Sequence, residues 1–132
     1  MSHMSHMSTR TPLARVRGLG SAKSGTEHFW LQRLTAVANI VLISFLIGLL
    51  FTLVGADYDT VRRTLAKPYI TVPLLLLVLS AVMHMRLGMQ TIIEDYVHSE
   101  GRKVAAQMLN TFFAMLIGIT CVFAVLKLSF GA

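Results

Sequence analysis

Residues 34–54 read LTAVANIVLISFLIGLLFTLV, a stretch of 21 positions without one charged side chain. Two more apolar runs follow: residues 69–93, in which only His84 and Arg86 can carry a charge, and residues 104–126, which have no charged residue. Each run exceeds the roughly 20 residues that a helix needs to cross the hydrocarbon core of a bilayer. Membrane-spanning strands would be shorter and would alternate apolar and polar residues, which none of these runs does. The sequence therefore predicts an all-α integral membrane protein with three transmembrane helices.

The composition agrees with this prediction and limits what the chain can do alone. Its 132 residues are 55% hydrophobic and 14% charged, with a mean hydropathy of +0.66, which excludes an ordinary soluble domain. Three spans leave almost no mass outside the membrane, so a large catalytic domain must lie on another polypeptide. The single cysteine, Cys121, offers neither a disulfide nor a pair of metal ligands. We expect a subunit of a larger assembly.

The basic residues indicate an orientation rather than a nucleic-acid partner. The net charge is +6, but the lysines and arginines lie mostly in the segments that flank the apolar runs. Five precede the first run and two lie in the second connection, against three in the first connection and one at the C-terminal end. The positive-inside rule therefore predicts an N-terminus in the cytoplasm and a C-terminus on the opposite side of the membrane. In chain order these residues are Arg10, Arg15, Arg17, Lys23, Arg33, Arg62, Arg63, Lys67, Arg102, Lys103 and Lys127.

The chain is predicted to divide into a basic N-terminal tail, residues 1–25, and a three-helix membrane anchor domain, residues 26–132. The tail is polar, and we expect it to be partly disordered, with the disorder near its start. It opens with a Met-Ser-His repeat, which could be native sequence, a cloning remnant or a sign of an uncertain start codon. The repeat's His3 and His6 are weak grounds for a metal site, and no signal peptide is expected.

One face of the second predicted helix carries residues suited to chemistry. At about 100° per residue, Gly88, Thr91 and Asp95 fall within about 40° of His84. His84 and Asp95 are separated by roughly 16 Å along the axis, which is too far for a direct hydrogen bond. This spacing favours two adjoining sites, one inside the membrane and one at its surface.

His84 is predicted to lie at membrane depth, where an ionisable side chain is costly unless it faces the protein interior and finds a partner. Its neutral imidazole could ligate haem iron, and Gly88 one turn later would leave space for the flat macrocycle. A histidine that is hydrogen-bonded to a neighbouring helix is the more ordinary alternative. A haem here would take its second axial ligand from another subunit, because no other histidine lies in the apolar runs.

Asp95 and Tyr96 place a carboxylate and a phenol at the predicted membrane surface. A quinone takes up two electrons and two protons, so a hydroxyl that binds its carbonyl and an acid near water suit it. The same two residues also fit an ordinary helix end with tyrosine in the aromatic belt. Near the start of the first predicted helix, His28 and Arg33 are cations able to meet haem propionates or lipid phosphates. Arg86 lies on the opposite side of its helix and is expected to snorkel to headgroups or to pair across an interface.

These residues resemble a known family, the small hydrophobic membrane anchor subunit of succinate dehydrogenase, or respiratory complex II. The most specific match is the pattern H-x-x-x-G-x-x-x-x-x-x-D-Y, which runs from His84 to Tyr96. Residues 28–36, HFWLQRLTA, are similar to the family's approach to its first helix, where an arginine comes shortly before a Thr-Ala pair. Together with the helix spacing, the resemblance extends over residues 25–128.

The resemblance implies a role for each candidate residue. His84 would ligate haem b, whose other axial histidine belongs to the companion membrane anchor, the cytochrome b subunit. Tyr96 would hydrogen-bond ubiquinone with Asp95 as the neighbouring acid. Arg33 would lie near the haem propionates, and His28 is a looser assignment to the same place. The implied partners are a flavoprotein subunit, an iron–sulfur subunit and this companion anchor, in an enzyme of the tricarboxylic acid cycle and the respiratory electron-transport chain.

Two rival functions stay open at the level of sequence. An anchor of a quinol:fumarate reductase has the same architecture, and motifs that both enzymes share do not settle the direction of electron flow. A non-redox three-helix membrane protein, for assembly or transport, would use His84 only as a helix contact. In every case the chain has no complete active site of its own.

Overall fold

The computed structural model describes residues 11–18 and 24–131, and this part of the chain is helical with no strand. The all-α prediction is therefore confirmed. In chain order the helices are α1 (Pro12–Val16), α2 (Ser24–Leu53), α3 (Tyr58–Leu65), α4 (Pro68–Tyr96) and α5 (Glu100–Phe130).

Three of these helices are long and apolar enough to cross a membrane: 29 residues of α2, 29 of α4 and 31 of α5. At about 1.5 Å per residue, each is about 45 Å long and exceeds a hydrocarbon core of about 30 Å. Each predicted apolar run lies within one of them, apart from residue 54. The prediction of three transmembrane helices is confirmed, and the helices extend past the apolar runs into polar sequence at their ends.

The central helix is α4, which packs against both α2 and α5. Short connections make α4 antiparallel to each of its neighbours. The start of α2, the end of α4 and the start of α5 therefore share one side of the membrane, which we call the tail side. The opposite side, which we call the α3 side, carries α3 in contact with α4 and α5.

Small and polar side chains make the contact between α4 and α5. Asn110 is buried and donates from Nδ2 to the carbonyl of Arg86 at 3.0 Å. One turn further along, Ala114 is only 2% exposed. A Cβ atom built on Gly118 would lie 3.5 Å from a methyl group of Val82. Lipid tails are as apolar as the helix surface, so close approach and interhelical hydrogen bonds hold such helices together.

Hydrogen bonds also tie the α3 side together. The hydroxyl of Thr71 donates to the carbonyl of Leu65 at 2.7 Å. The hydroxyl of Ser129 lies 3.0 Å from that of Thr71, 3.2 Å from the same carbonyl and 2.8 Å from the carbonyl of Val125, and it has one proton for these three acceptors. Arg62 donates from Nη2 to the carbonyl of Gly131. Helices α3, α4 and α5 are thereby joined through contacts that the chain supplies itself.

One face of α2 has no covering helix within the described part of the chain. Ser44 and Gly48 form a small-xxx-small pair on this face, and both are exposed. No atom lies within 4 Å of a Cβ built on Gly48. Such pairs permit close packing of membrane helices, and α2 keeps this one available on its outer surface.

The predicted division at residue 25 falls within the first turn of α2, because that helix begins at Ser24. Part of the tail forms the short helix α1. The predicted disorder near the start of the tail and the Met-Ser-His repeat lie outside the described residues. The domain boundary and the cytoplasmic N-terminus stay predictions.

Candidate functional site

Four polar side chains follow one face of α2 in its tail-side half: His28, Gln32, Thr35 and Asn39. They are separated by four, three and four residues, which is the spacing of a single helical stripe. Thr35 is buried and the others are half-buried where α2 packs on α4. We call these four residues the polar seam. The sequence predictions included only His28 as a site residue, although the spacing of the stripe was a signal for all four.

The polar seam meets His84 of α4 through Thr35. Nδ1 of His84 lies 3.1 Å from Oγ1 of Thr35. The same hydroxyl faces the carbonyls of Leu31 at 2.8 Å and Gln32 at 3.1 Å, and it has one proton to donate to them. With that proton donated to one of the two carbonyls, Oγ1 accepts from Nδ1–H, and we assign His84 this tautomer because it lets both hydrogen bonds form. Nε2 is left with a lone pair, and no hydrogen bond among the described residues uses it.

The contact between Thr35 and His84 is compatible with both interpretations of His84 that the sequence left open, a helix contact and a haem ligand. Nδ1 of His84 makes the hydrogen bond to a neighbouring helix that the ordinary alternative requires. Nε2 keeps the lone pair that a metal ligand requires. Ser80 of α4 also donates to the carbonyl of Thr35 at 3.3 Å, so two bonds hold α2 and α4 together at this level. The imidazole is thus oriented from one side and open to coordination through its other nitrogen.

Gly88 marks a close approach of α4 to the polar seam. A Cβ atom built on Gly88 would lie 3.5 Å from Nε2 of Gln32. Three buried seam atoms have no hydrogen-bond partner among the described residues: Nε2 of His28, Oε1 of Gln32 and Oδ1 of Asn39. A buried polar atom left in this state costs about 1–3 kcal/mol. Because all three atoms are enclosed, a group from outside could bind them only after side chains of the polar seam change their rotamers.

The residues present fit a single axial ligand to haem iron. Imidazole is a usual ligand of haem iron, and a hydrogen bond at its second nitrogen fixes its orientation. His84 has both features, and Gly88 adds no side-chain volume one turn away. Among residues 11–18 and 24–131, no three His, Cys, Asp or Glu side chains come together as a metal site. His84 therefore offers one ligand, and the rest of the coordination must come from elsewhere.

Arg33 lies next to the polar seam in sequence but not on its face. Its side chain is exposed, with Cζ 4.3 Å from the centroid of the Phe29 ring. Phe29 in turn meets Trp30 edge to face, with ring centroids 6.1 Å apart. The structure does not bring Arg33 into contact with His84, whereas His28 is part of the seam. The guanidinium stacks on the Phe29 ring, and no hydrogen bond from it occurs among the described residues.

Asp95 and Tyr96 are the last two residues of α4, as the sequence predicts. Asp95 is exposed, and Tyr96 is 77% exposed. Tyr96 lines a shallow hollow of about 290 Å³ together with His98 and Arg102, which follow it on the tail side. The phenol and the carboxylate are presented at the surface, and this chain alone does not enclose them.

The comparisons with known proteins concern almost the whole chain. The family model described as "Succinate dehydrogenase/Fumarate reductase transmembrane subunit" matches residues 7–124. A succinate dehydrogenase hydrophobic membrane anchor subunit of Rickettsia bellii is 39% identical over 90 residues, which are 67% of this chain and 70% of that protein. The protein of the same name from Paracoccus denitrificans is 28% identical over 122 residues, 92% of this chain and 94% of the relative.

A third relative is the succinate dehydrogenase membrane anchor subunit of Reclinomonas americana. It is 33% identical over 98 residues, which are 72% of this chain and 82% of that protein. No solved structure matches the chain significantly.

Proposed function

Because this chain belongs to the succinate dehydrogenase/fumarate reductase transmembrane subunit family, we propose that it is the membrane anchor of a succinate:ubiquinone oxidoreductase. The resemblance noted in the sequence is confirmed by this family membership. In the proposal, the chain anchors a flavoprotein subunit and an iron–sulfur subunit to the membrane. It also shares a haem b with a second membrane anchor, the cytochrome b subunit, and forms part of the site where ubiquinone is reduced.

The free Nε2 of His84 is the observation that carries the haem assignment. Thr35 accepts a hydrogen bond from Nδ1 of His84, so Nε2 on the other side of the ring points away from the Thr35 hydroxyl. When bound there, haem b supplies a one-electron redox centre. Gly88 keeps the neighbouring turn of α4 free of a side chain, and Arg33 has donors for propionate oxygens. His28 is a weaker candidate for the same propionates, because its unpartnered Nε2 is enclosed and would have to turn outward to reach them.

The quinone site is proposed to use Tyr96 and Asp95. Quinone reduction consumes two electrons and two protons and yields the quinol. The Tyr96 hydroxyl donates a hydrogen bond to one quinone carbonyl, and Asp95 passes a proton from the nearby aqueous phase. The electrons come from succinate through the flavin and iron–sulfur clusters of the partner subunits. The exposure of Tyr96 supports a pocket that those partners complete.

The second anchor is proposed to pack where this chain leaves α2 uncovered. Ser44 and Gly48 give a close-packing surface on that helix. The excess of lysine and arginine near the tail side supports an N-terminus in the cytoplasm of a bacterium, with the C-terminus in the periplasm. Asp95 and Tyr96 then face the compartment in which succinate is oxidised.

Co-purification tests the proposal as a whole. The full-length chain is tagged, extracted in a mild detergent and analysed for its partner polypeptides and for succinate-dependent reduction of a ubiquinone analogue. We expect a flavoprotein, an iron–sulfur protein and one further hydrophobic subunit, together with quinone reductase activity. Isolation of the chain without the flavoprotein and iron–sulfur protein would contradict the proposal.

The family description also includes fumarate reductase, which makes a quinol:fumarate reductase anchor the second candidate. The two enzymes differ in the physiological direction of the same electron transfer. Rates measured with succinate plus quinone and with fumarate plus quinol, on the same preparation, distinguish them. No specific observation favours the non-redox assembly or transport protein.

A further inference from the structure

Arg86 is an exposed cation in the tail-side half of an apolar span. It lies ten residues before the end of α4, or about 15 Å along the axis. A helix of 29 residues is about 43 Å long and extends about 7 Å beyond each face of a 30 Å core. The Cα of Arg86 therefore lies about 8 Å inside the hydrocarbon. No ion pair with Arg86 occurs among the described residues, and its charge needs an anion at this depth.

Arg86 also stands where two hollows between α4 and α5 meet. The hollow toward the tail side has a volume of about 520 Å³, and polar side chains such as Gln90, Lys103 and Gln107 line it. The hollow toward the α3 side has a volume of about 460 Å³ and is lined, apart from Arg86, by apolar residues such as Val82. Because Arg86 lines both, the two form one groove that is polar at its tail-side end and apolar toward the membrane centre.

The charges of the polar half favour an anion. Arg86 and Lys103 contribute two positive charges to its lining, and Glu94 contributes one negative charge. Oε1 of Glu94 accepts a hydrogen bond from Gln90 Nε2 at 2.8 Å. The polar half of the groove therefore carries a net charge of +1. A snorkelling arginine side chain reaches the depth of the lipid phosphates, so the donors in this half lie where a phosphate can bind.

The helix contact fixes the position of this groove. Asn110 of α5 donates to the carbonyl of Arg86, and Gln107 donates from Nε2 to the carbonyl of Gln90 at 3.3 Å. Further toward the membrane centre, Gly118 brings α5 close to Val82. These contacts fix the backbone of α4 and α5 along the groove, and the part toward the membrane centre is lined by apolar side chains that suit an acyl chain.

We propose that this groove binds one anionic phospholipid, with its phosphate between Arg86 and Lys103 and one acyl chain along the apolar half. The site lies on the face of α4 opposite His84 and Gly88, so it is separate from the proposed haem ligand. It requires neither haem nor quinone. Phosphatidylglycerol is the probe, because it has a net negative charge and two acyl chains.

Native mass spectrometry of the full-length chain tests this site. The chain is purified in mild detergent with whatever subunits accompany it, delipidated by washing, and titrated with phosphatidylglycerol or with zwitterionic phosphatidylethanolamine. We expect one retained phosphatidylglycerol per chain. Arg86→Gln should weaken its binding about fivefold, the equivalent of about 1 kcal/mol for one cation near lipid headgroups.

Two further variants keep the experiment decisive. Arg86→Lys retains the charge and should retain the lipid, which separates loss of the site from misfolding. Arg63→Gln removes the same charge from an exposed position on α3 and should not change the retained lipid. Equal retention of phosphatidylglycerol in Arg86→Gln and the parent would overturn the proposal. So would loss of the second hydrophobic subunit on Arg86→Gln with lipid unchanged, because Arg86 would then pair with a partner carboxylate.

Discussion

The two ends of the membrane domain differ in the hydrogen bonding of their polar side chains. On the α3 side, the hydroxyls of Thr71 and Ser129 share the carbonyl of Leu65, and Arg62 holds the carbonyl of Gly131. On the tail side, three buried atoms of the polar seam have no partner among the described residues, and the end of α4 is exposed. Among the described residues, these polar side chains of the α3 side are hydrogen-bonded, whereas three atoms of the polar seam are not.

This contrast has an energetic meaning in a bilayer. Unsatisfied polar atoms are costly where no water reaches them, so the polar seam carries a free-energy cost that the bonded hydroxyls of the α3 side do not. The seam atoms lie within about two turns of His84 along the contact of α2 with α4. Variants on the tail side should therefore affect cofactor and substrate, and variants on the α3 side should affect the stability of the chain itself.

Replacing His84 with alanine should have the largest effect, because it removes the only proposed iron ligand of this chain. We expect the b-type band in the reduced-minus-oxidised absorbance spectrum of the purified complex to be almost completely lost. His98→Ala removes an exposed histidine beyond the end of α4 and should leave the band in place. A full band in His84→Ala would reject the ligand assignment.

Thr35→Val should act on the haem through His84. The substitution keeps the shape of the side chain but removes the acceptor of the Nδ1–H bond. Loss of such a supporting partner typically weakens metal binding about 10- to 100-fold, so haem should be lost at lower detergent or denaturant concentrations. Thr120→Val is the matched control, because Thr120 bonds only within its own helix. If both variants retain haem equally, Thr35 does not orient the ligand.

Tyr96→Phe should lower quinone reduction about tenfold, the equivalent of about 1.4 kcal/mol in transition-state stabilisation. Succinate-dependent dye reduction should stay near the parent value, because the flavin and the clusters lie on other subunits. Tyr69→Phe changes an exposed tyrosine at the opposite end of the same helix and should change neither rate. Parent-like ubiquinone reduction in Tyr96→Phe would remove this tyrosine from the site.

Thr71→Val should have the smallest effect, and it should lower the stability of the chain rather than its activity. It removes a hydroxyl that donates to the carbonyl of Leu65 and lies 3.0 Å from that of Ser129, so we expect about 1–2 kcal/mol less stability against unfolding in detergent. Haem content and quinone reduction per folded complex should be unchanged. Thr52→Val removes a hydroxyl that bonds only within α2 and is the control. A selective loss of haem in Thr71→Val would contradict the expected difference between the tail side and the α3 side.

The sequence predicts the spans well because hydropathy is a local property of each run. It also places Asp95 and Tyr96 at a helix end, since the apolar pattern stops there. The Thr35–His84 contact was missed because it depends on which face of α2 packs on α4, and a single helix pattern does not determine its neighbour. The spacing of the polar seam is visible in the sequence, but only the packing shows that this stripe faces α4.

Haem content of the assembled protein tests the central claim most directly, namely that the tail side is completed by a cofactor and a second anchor. The chain is purified with its partner subunits, and its reduced-minus-oxidised spectrum is quantified per copy of the chain. We predict one b-type haem per chain when the second hydrophobic subunit is present, with His84 as one of its two ligands. Absence of a b-type band from a preparation that contains all the partner subunits would contradict this account.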